Sequence, residues 1–307
     1  MISDKLKIFL GYLLICLLWG STWLVIKMGL ESITPFLSAG LRFCTAALFF
    51  FIIIRIKNIK VATDTFSLKL YFAMGFFSFV IPFGLVYWAE DFIPSGLASI
   101  LFAAYPFFVI IFTKIFFQEE EVNKYKIFGS VLGFIGIVVI FSDGLKLDFG
   151  KELLGYIAVI ISALMQGMVA VVIKKHGKKL NPVSMNLVPV FIAGIVLTIL
   201  GLLVEDRSKL VFDFNAYFSI IYLALFGTIA TFSTYYWLMK KISVVLLSLS
   251  AFITPIVAVL LGWLILDEIL TARELFGSSL VLIGILFANL KGLISILYDK
   301  KVIKWKI

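Results

Sequence analysis

IFLGYLLICLLWGSTWLVIKM, residues 8–28, decides the fold class: its single charge, Lys27, comes at the far end. Wound as a helix at ~1.5 Å per residue, a block of about twenty apolar residues crosses a ~30 Å hydrocarbon core. Lys5 and Lys7 ahead of it resemble the start of a secretory leader. The block reaches Met28 without a small-x-small cleavage pattern, so it reads as a first retained span.

Similar blocks recur along the whole chain. They place ten spans at 8–28, 35–56, 68–89, 95–116, 124–142, 153–173, 182–203, 214–238, 243–265 and 273–294. The blocks are continuous, whereas membrane β-strands show ~10-residue alternating segments. Apolar residues make up 62% of the 307 and charged residues 15%, with mean hydropathy +1.12. A soluble domain carries ~25% charge, so membrane residence follows. Cys16 and Cys44 both fall inside apolar blocks, and no paired metal-ligand spacing occurs. Neither a metal nor a cofactor is expected.

The cations set an orientation. If the N-terminus, the even-numbered loops and the C-terminus share one side, 20 of the 27 Lys and Arg lie there and 6 lie opposite, with Arg42 alone inside a span. The positive-inside rule then puts both termini in the cytoplasm. The net charge of +9 is thereby explained without a nucleic-acid partner. The tail at 295–307, containing KKVIKWK (300–306), is suited to rest on anionic membrane lipid.

An internal repeat runs through the sequence. YW at 87–88, Pro106 and Glu119 recur 149 positions later as YW at 236–237, Pro255 and Glu268. Gly129 and Gly136 recur at 148 as Gly277 and Gly284, while Gly20, Lys27 and Pro35 recur at 147 as Gly167, Lys174 and Pro182. The halves, 1–142 and 150–294, each hold five spans. Five is odd, so the second half enters the membrane with opposite polarity. Inverted repeats of this kind are a design of secondary transporters, with the solute site at mid-membrane between them.

LLWGSTWLVIK (17–27), P-x6-RF (35–43), Pro106, Glu119, and PIVAVLLGWLILDEILTARELFGSSLVLIGILFAN (255–289) together resemble the EamA-type family of the drug/metabolite transporter superfamily. The resemblance covers essentially the whole chain. It implies an all-α membrane fold of ten helices in two inverted five-helix repeats. It further implies a central cavity and alternating-access export of metabolites such as amino acids. One departure is Gln166, which stands where the first repeat has Trp19.

Pro106 and Pro255 fall near the bilayer midplane and are expected as helix breaks. Each proline frees the carbonyl four residues earlier, Phe102 and Ala251, and at that depth such a carbonyl must face protein or a wet cavity. Trp19, Ser21, Thr22, Tyr87, Tyr105, Gln166, Tyr235, Tyr236, Trp237 and Ser250 are the polar and aromatic groups expected around that cavity. Their π-faces and polar edges suit small neutral or zwitterionic solutes. Arg42, the one charge within a span, is expected in a structural or gating ion pair with Glu31, Glu90 or Asp91, with substrate contact as the alternative. Lys27 and Lys174 read equally as helix-dipole caps and as gates. Glu119 and Glu268 read as helix-end charges or gates. No carboxylate is expected buried at depth, which argues against proton-coupled antiport of cations. Glycines 129, 133 and 136 on the fifth span and 277 and 284 on the tenth give those spans small faces for close helix contact, read as packing within the chain ahead of a dimer interface. No catalytic constellation is visible; the reading set against transport is a membrane scaffold or signalling component. The solute and the oligomeric state stay open.

Overall fold

The computed structural model describes residues 4–117, 150–242 and 250–298, with 125, 128, 129, 131–133, 135, 136, 139, 244 and 247 between them. These residues are helical nearly throughout, and no strand occurs among them. Seven segments are long and apolar enough to cross a membrane, and the stretches Ile253–Leu266 and Leu275–Gly284 are apolar but shorter. Most of the expected fifth span, Glu119 and the tail beyond 298 lie outside the described residues.

The helices are α1 (Asp4–Leu30), α2 (Pro35–Ile56), α3 (Thr65–Glu90), α4 (Ser95–Phe102), α5 (Tyr105–Phe117), α6 (Lys151–His176), α7 (Ser184–Val204), α8 (Phe214–Lys241), α9 (Ser250–Leu266) and α10 (Ala272–Tyr298). Helices α4 and α5 are one expected span, broken at Ala103–Ala104. Their outer faces are apolar: Phe51, Ile115, Leu203 and Trp263 stand exposed. Such a surface is covered by lipid.

The two halves interleave. Helix α2 packs on α7, α1 packs on α8 and α9, and α6 packs on α3, α4 and α5. Glycines let the central pair approach closely. A Cβ on Gly194 would lie 2.6 Å from the Cys44 nitrogen, and one on Gly201 would lie 2.6 Å from that of Leu37. The glycines expected on the fifth and tenth spans do the same. A Cβ on Gly136 would lie 2.6 Å from the Gly277 carbonyl oxygen, and one on Gly284 2.6 Å from that of Gly129. These are contacts within the chain.

Two local features recur in both halves. Helix α3 is π-helical over Gly75–Val80, and α8 over Leu225–Ala230. Asp64 caps α3, its carboxylate accepting from the Ser67 amide at 3.0 Å; Asp213 caps α8 through the Ala216 amide at 2.9 Å. Asp213 also accepts from the Ser32 hydroxyl at 2.9 Å.

Two predictions come from this packing. Gly194→Leu forces α7 off the Cys44 backbone, and overpacking of this kind costs ~1–3 kcal/mol. A thermal unfolding curve in detergent should shift down, and an unchanged midpoint would contradict the close crossing. The second concerns pH. Hydrogen bonds from Ser67 and its amide hold the Asp64 carboxyl below the usual carboxylate range, and those from the Ala216 amide and Ser32 do the same for Asp213. A depressed folded pKa contributes stability above the unfolded pKa, and that contribution is lost as pH falls through the folded value. The unfolding midpoint should therefore drop on acidification below the ordinary carboxylate range. The drop should be smaller in an Asp64→Asn/Asp213→Asn variant, because Asn caps without titrating.

Candidate functional site

The α4–α5 break opens the middle of the fold. Proline at 106 cannot donate to the Phe102 carbonyl, and the chain turns through Ala103 and Ala104 before α5 starts at Tyr105. Pro255 departs from expectation: it sits inside the unbroken described helix α9. Beside it α1 packs closely through Gly20, whose Cβ would lie 2.5 Å from the Val257 Cβ.

Between these elements lies a cavity of about 110 Å³. On the scale at which one water takes ~10–15 Å³, it holds roughly ten waters, or a solute of about ten non-hydrogen atoms. Seven pairs of lining residues stand at corresponding positions in the two halves. Trp19 and Gln166, Trp23 and Ala170, and Ile26 and Ile173 are 147 apart; Phe83 and Phe232, Val86 and Tyr235, Phe102 and Ala251, and Tyr105 and Thr254 are 149 apart. The aromatic wall is continuous, with the Trp19 ring 5.2 Å from Tyr235 and 5.5 Å from Phe232, and Trp23 5.6 Å from Phe102. The Tyr105 and Tyr235 hydroxyls hydrogen-bond across the repeats at 2.7 Å.

Of the ten residues expected at the site, Trp19, Thr22, Tyr105, Gln166, Tyr235, Tyr236 and Ser250 line the cavity. Three do not. Ser21 turns away, donating to the Leu18 carbonyl at 2.8 Å and bonding the Tyr222 hydroxyl at 2.7 Å. Trp237 packs on α1, its ring 3.4 Å from the position of a Cβ on Gly11. Tyr87 is fully buried behind the wall, where its hydroxyl accepts from Arg42. Apolar wall residues such as Trp23, Phe83, Phe102 and Phe232 were missed because phenylalanine-rich spans give no cue to which face is inward.

Arg42 corrects the ion-pair expectation. It is 1% exposed and lines the cavity. Its Nε donates to the Thr228 hydroxyl at 3.0 Å, Nη1 to the Tyr87 hydroxyl at 3.1 Å and Nη2 to the Gly227 carbonyl at 3.0 Å. Its guanidinium also lies 5.1 and 5.0 Å from the ring centres of Phe43 and Phe83. None of the three expected acids reaches it: Glu31 accepts from Asn215, Asp91 is exposed, and both Glu90 carboxylate oxygens accept no hydrogen bond. Gly227 and Thr228 belong to the π-helical turn of α8, which leaves backbone and hydroxyl groups for a partner. Glu90, the last residue of α3, is 0% exposed at that span end.

The remaining charges hold helix ends together. Lys27 donates to the Glu90 and Ile93 carbonyls, and Lys174 to those of Met239 and Ile242. Each lysine thus caps the third span of its own half. The dipole it meets is that neighbour's, as well as its own. Glu268 accepts from the Ser95 and Gly96 amides at 2.8 and 3.1 Å, capping the start of α4. His176 is exposed, with its ring against Phe66.

Because each guanidinium donor is buried, Tyr87→Phe and Thr228→Val should each destabilise the protein by ~1–3 kcal/mol. Tryptophan-monitored unfolding checks this. Midpoints equal to wild type would mean that these hydroxyls do not carry the Arg42 charge.

Comparison with known proteins places this architecture. The sequence model of the EamA-like transporter family matches residues 6–142 and again 153–290. The uncharacterized transporter YoaV of Bacillus subtilis (strain 168) is 28% identical over 279 residues, 91% of this chain and 95% of that protein. The uncharacterized inner membrane transporter YedA of Escherichia coli (strain K12) is 26% identical over 291 residues, 93% of this chain and 91% of its own length. A protein of the same strain named a probable amino-acid metabolite efflux pump is 28% identical over 297 residues, 92% of this chain and 94% of that one. One solved crystal structure shares the fold, with a TM-score of 0.69, 16% identity and coverage of 94% of this chain and 99% of that chain. The relatives and the family are transporters, not enzymes. The chain is a multi-pass membrane protein and belongs to the EamA-like transporter family.

Proposed function

We propose that this transporter is a secondary carrier that exports small neutral or zwitterionic organic metabolites, amino acids among them. It works by alternating access around the central cavity, between two five-span halves of inverted polarity, with both termini in the cytoplasm.

The observation that carries the reading is the cavity wall built from corresponding residues of both halves. A carrier must present one site to either membrane face in turn. Two related halves that enclose the site can rock about it so that each closes one face. The contacts between loops support the alternation of spans. Glu205 caps the α2 start, Glu268 caps the α4 start, and Ser32 bonds Asp213, all among the odd-numbered loops. Lys240 reaches the Leu180 carbonyl and Lys175 that of Phe116, both among the even-numbered ones. The relative named as an amino-acid metabolite efflux pump supports the outward direction and the solute class. The wall fits both: it offers aromatic faces and hydroxyls, and among the described residues that line it there is no Asp or Glu to neutralise a solute with net positive charge.

The test is efflux from proteoliposomes preloaded with mixed amino acids and small aromatic metabolites. It is followed by mass spectrometry with and without a proton gradient. Solute-selective efflux is expected in wild type and should fall roughly tenfold or more in Tyr105→Ala/Gln166→Ala, the equivalent of ~1.4 kcal/mol of lost contact. Folded wild-type protein that moves none of the pool would sink the carrier reading. Equal efflux by both proteins would sink the assignment of the cavity.

A further inference from the structure

We propose that Arg42 is the receptor for a carboxylate on the transported solute, so that the protein selects acids and zwitterions over neutral molecules; this rests on the transport reading above.

A buried arginine in a membrane protein ordinarily meets an acid or extends to the water interface, because an isolated charge in an apolar interior is very costly. Arg42 does neither. Its three hydrogen-bond partners and two ring contacts are all neutral. The carboxylate of Glu90 lies within electrostatic reach of Lys27, Glu268 and Arg42 but accepts no hydrogen bond. No acid hydrogen-bonds the guanidinium, so it lines the cavity with neutral groups as its direct partners. A guanidinium has five N–H donors. Three are committed, leaving one N–H on each terminal nitrogen for a further acceptor such as a carboxylate.

Arg42 is also the one charged side chain among the described residues that line the cavity. Its counterpart in the second half, 147 positions on, is Pro189. The single cation gives the cavity a polarity: an anionic group goes to Arg42, and an ammonium on the same solute lies against the ring faces of Trp19 and its neighbours.

A second cavity adjoins this one. It measures about 230 Å³ and is lined by Lys174, Lys178 and Lys240. It shares Ile173 and Tyr236 with the central cavity. A vestibule lined with one sign of charge concentrates ligands of the opposite sign. A solute approaching from the lysine-rich side would thus be favoured there by an anionic group.

The experiment uses matched solutes that share a side chain and differ at the carboxylate. Leucine, leucinamide, isoamylamine and 4-methylpentanoate form one set, with parallel sets built on phenylalanine and threonine. Each is scored on the purified full chain by thermal stabilisation, and in proteoliposomes by efflux. Members with a carboxylate should bind roughly 10- to 100-fold more tightly than the amide and the amine. Arg42→Gln should erase that preference. Arg42→Lys, which keeps the charge but loses the fork, should keep the preference at lower affinity. If Arg42→Gln does not fold, the wild-type series still decides. Equal handling of acid and amide by wild type, or no response to any carboxylate, overturns the assignment. Selective binding without efflux would leave the Arg42 site standing and sink the carrier reading. Efflux indifferent to the carboxylate would do the reverse.

Discussion

A backbone amide or carbonyl left open inside a hydrocarbon layer costs several kcal/mol, and the structure of this chain follows from avoiding that cost. Helices satisfy their own middles but not their ends. The ends are closed by side chains from elsewhere in the fold: Lys27 and Lys174 on carbonyl ends, Glu205 and Glu268 on amide ends. Each such contact closes a terminus and also ties two helices together. Charges in a chain this apolar are therefore spent first on the helix termini.

Irregular backbone at depth is confined to places where protein or cavity can receive its open groups. The break at Ala103–Ala104 borders the central cavity, and the π-helical turn of α8 hands its Gly227 carbonyl to Arg42. The arginine and the turn are mutually dependent. Without Arg42 the carbonyl would lose a donor, and without the turn the guanidinium would lose two of its acceptors. Tyr87 completes the arrangement, which explains why a tyrosine expected in the cavity stands one layer behind it.

The two halves share a frame and differ where chemistry is needed. Capping aspartates, capping lysines and π-helical turns recur at corresponding positions, because both halves solve the same problem of helix ends in lipid. Gln166 opposite Trp19, and Pro189 opposite Arg42, break the correspondence at the cavity. The result is a site that is aromatic on one side and carries a single cation.

The sequence by itself determined the membrane class and the positions of the seven long spans, because twenty-residue apolar blocks are one-dimensional signals. It also named seven residues that line the cavity, since deep tyrosine, tryptophan and glutamine are rare enough to stand out. Only the tertiary structure decided which face of each helix looks inward. Blocks that are apolar all round carry no periodic cue, so Ser21 and Trp237 could not be told from Thr22 and Tyr236, nor the inward phenylalanines from those facing lipid. The partners of the buried charges were hidden for a related reason. Lys27 and Arg42 are held by backbone carbonyls and neutral hydroxyls, and every residue has a carbonyl, so no residue type in the sequence marks where such a cation will bind.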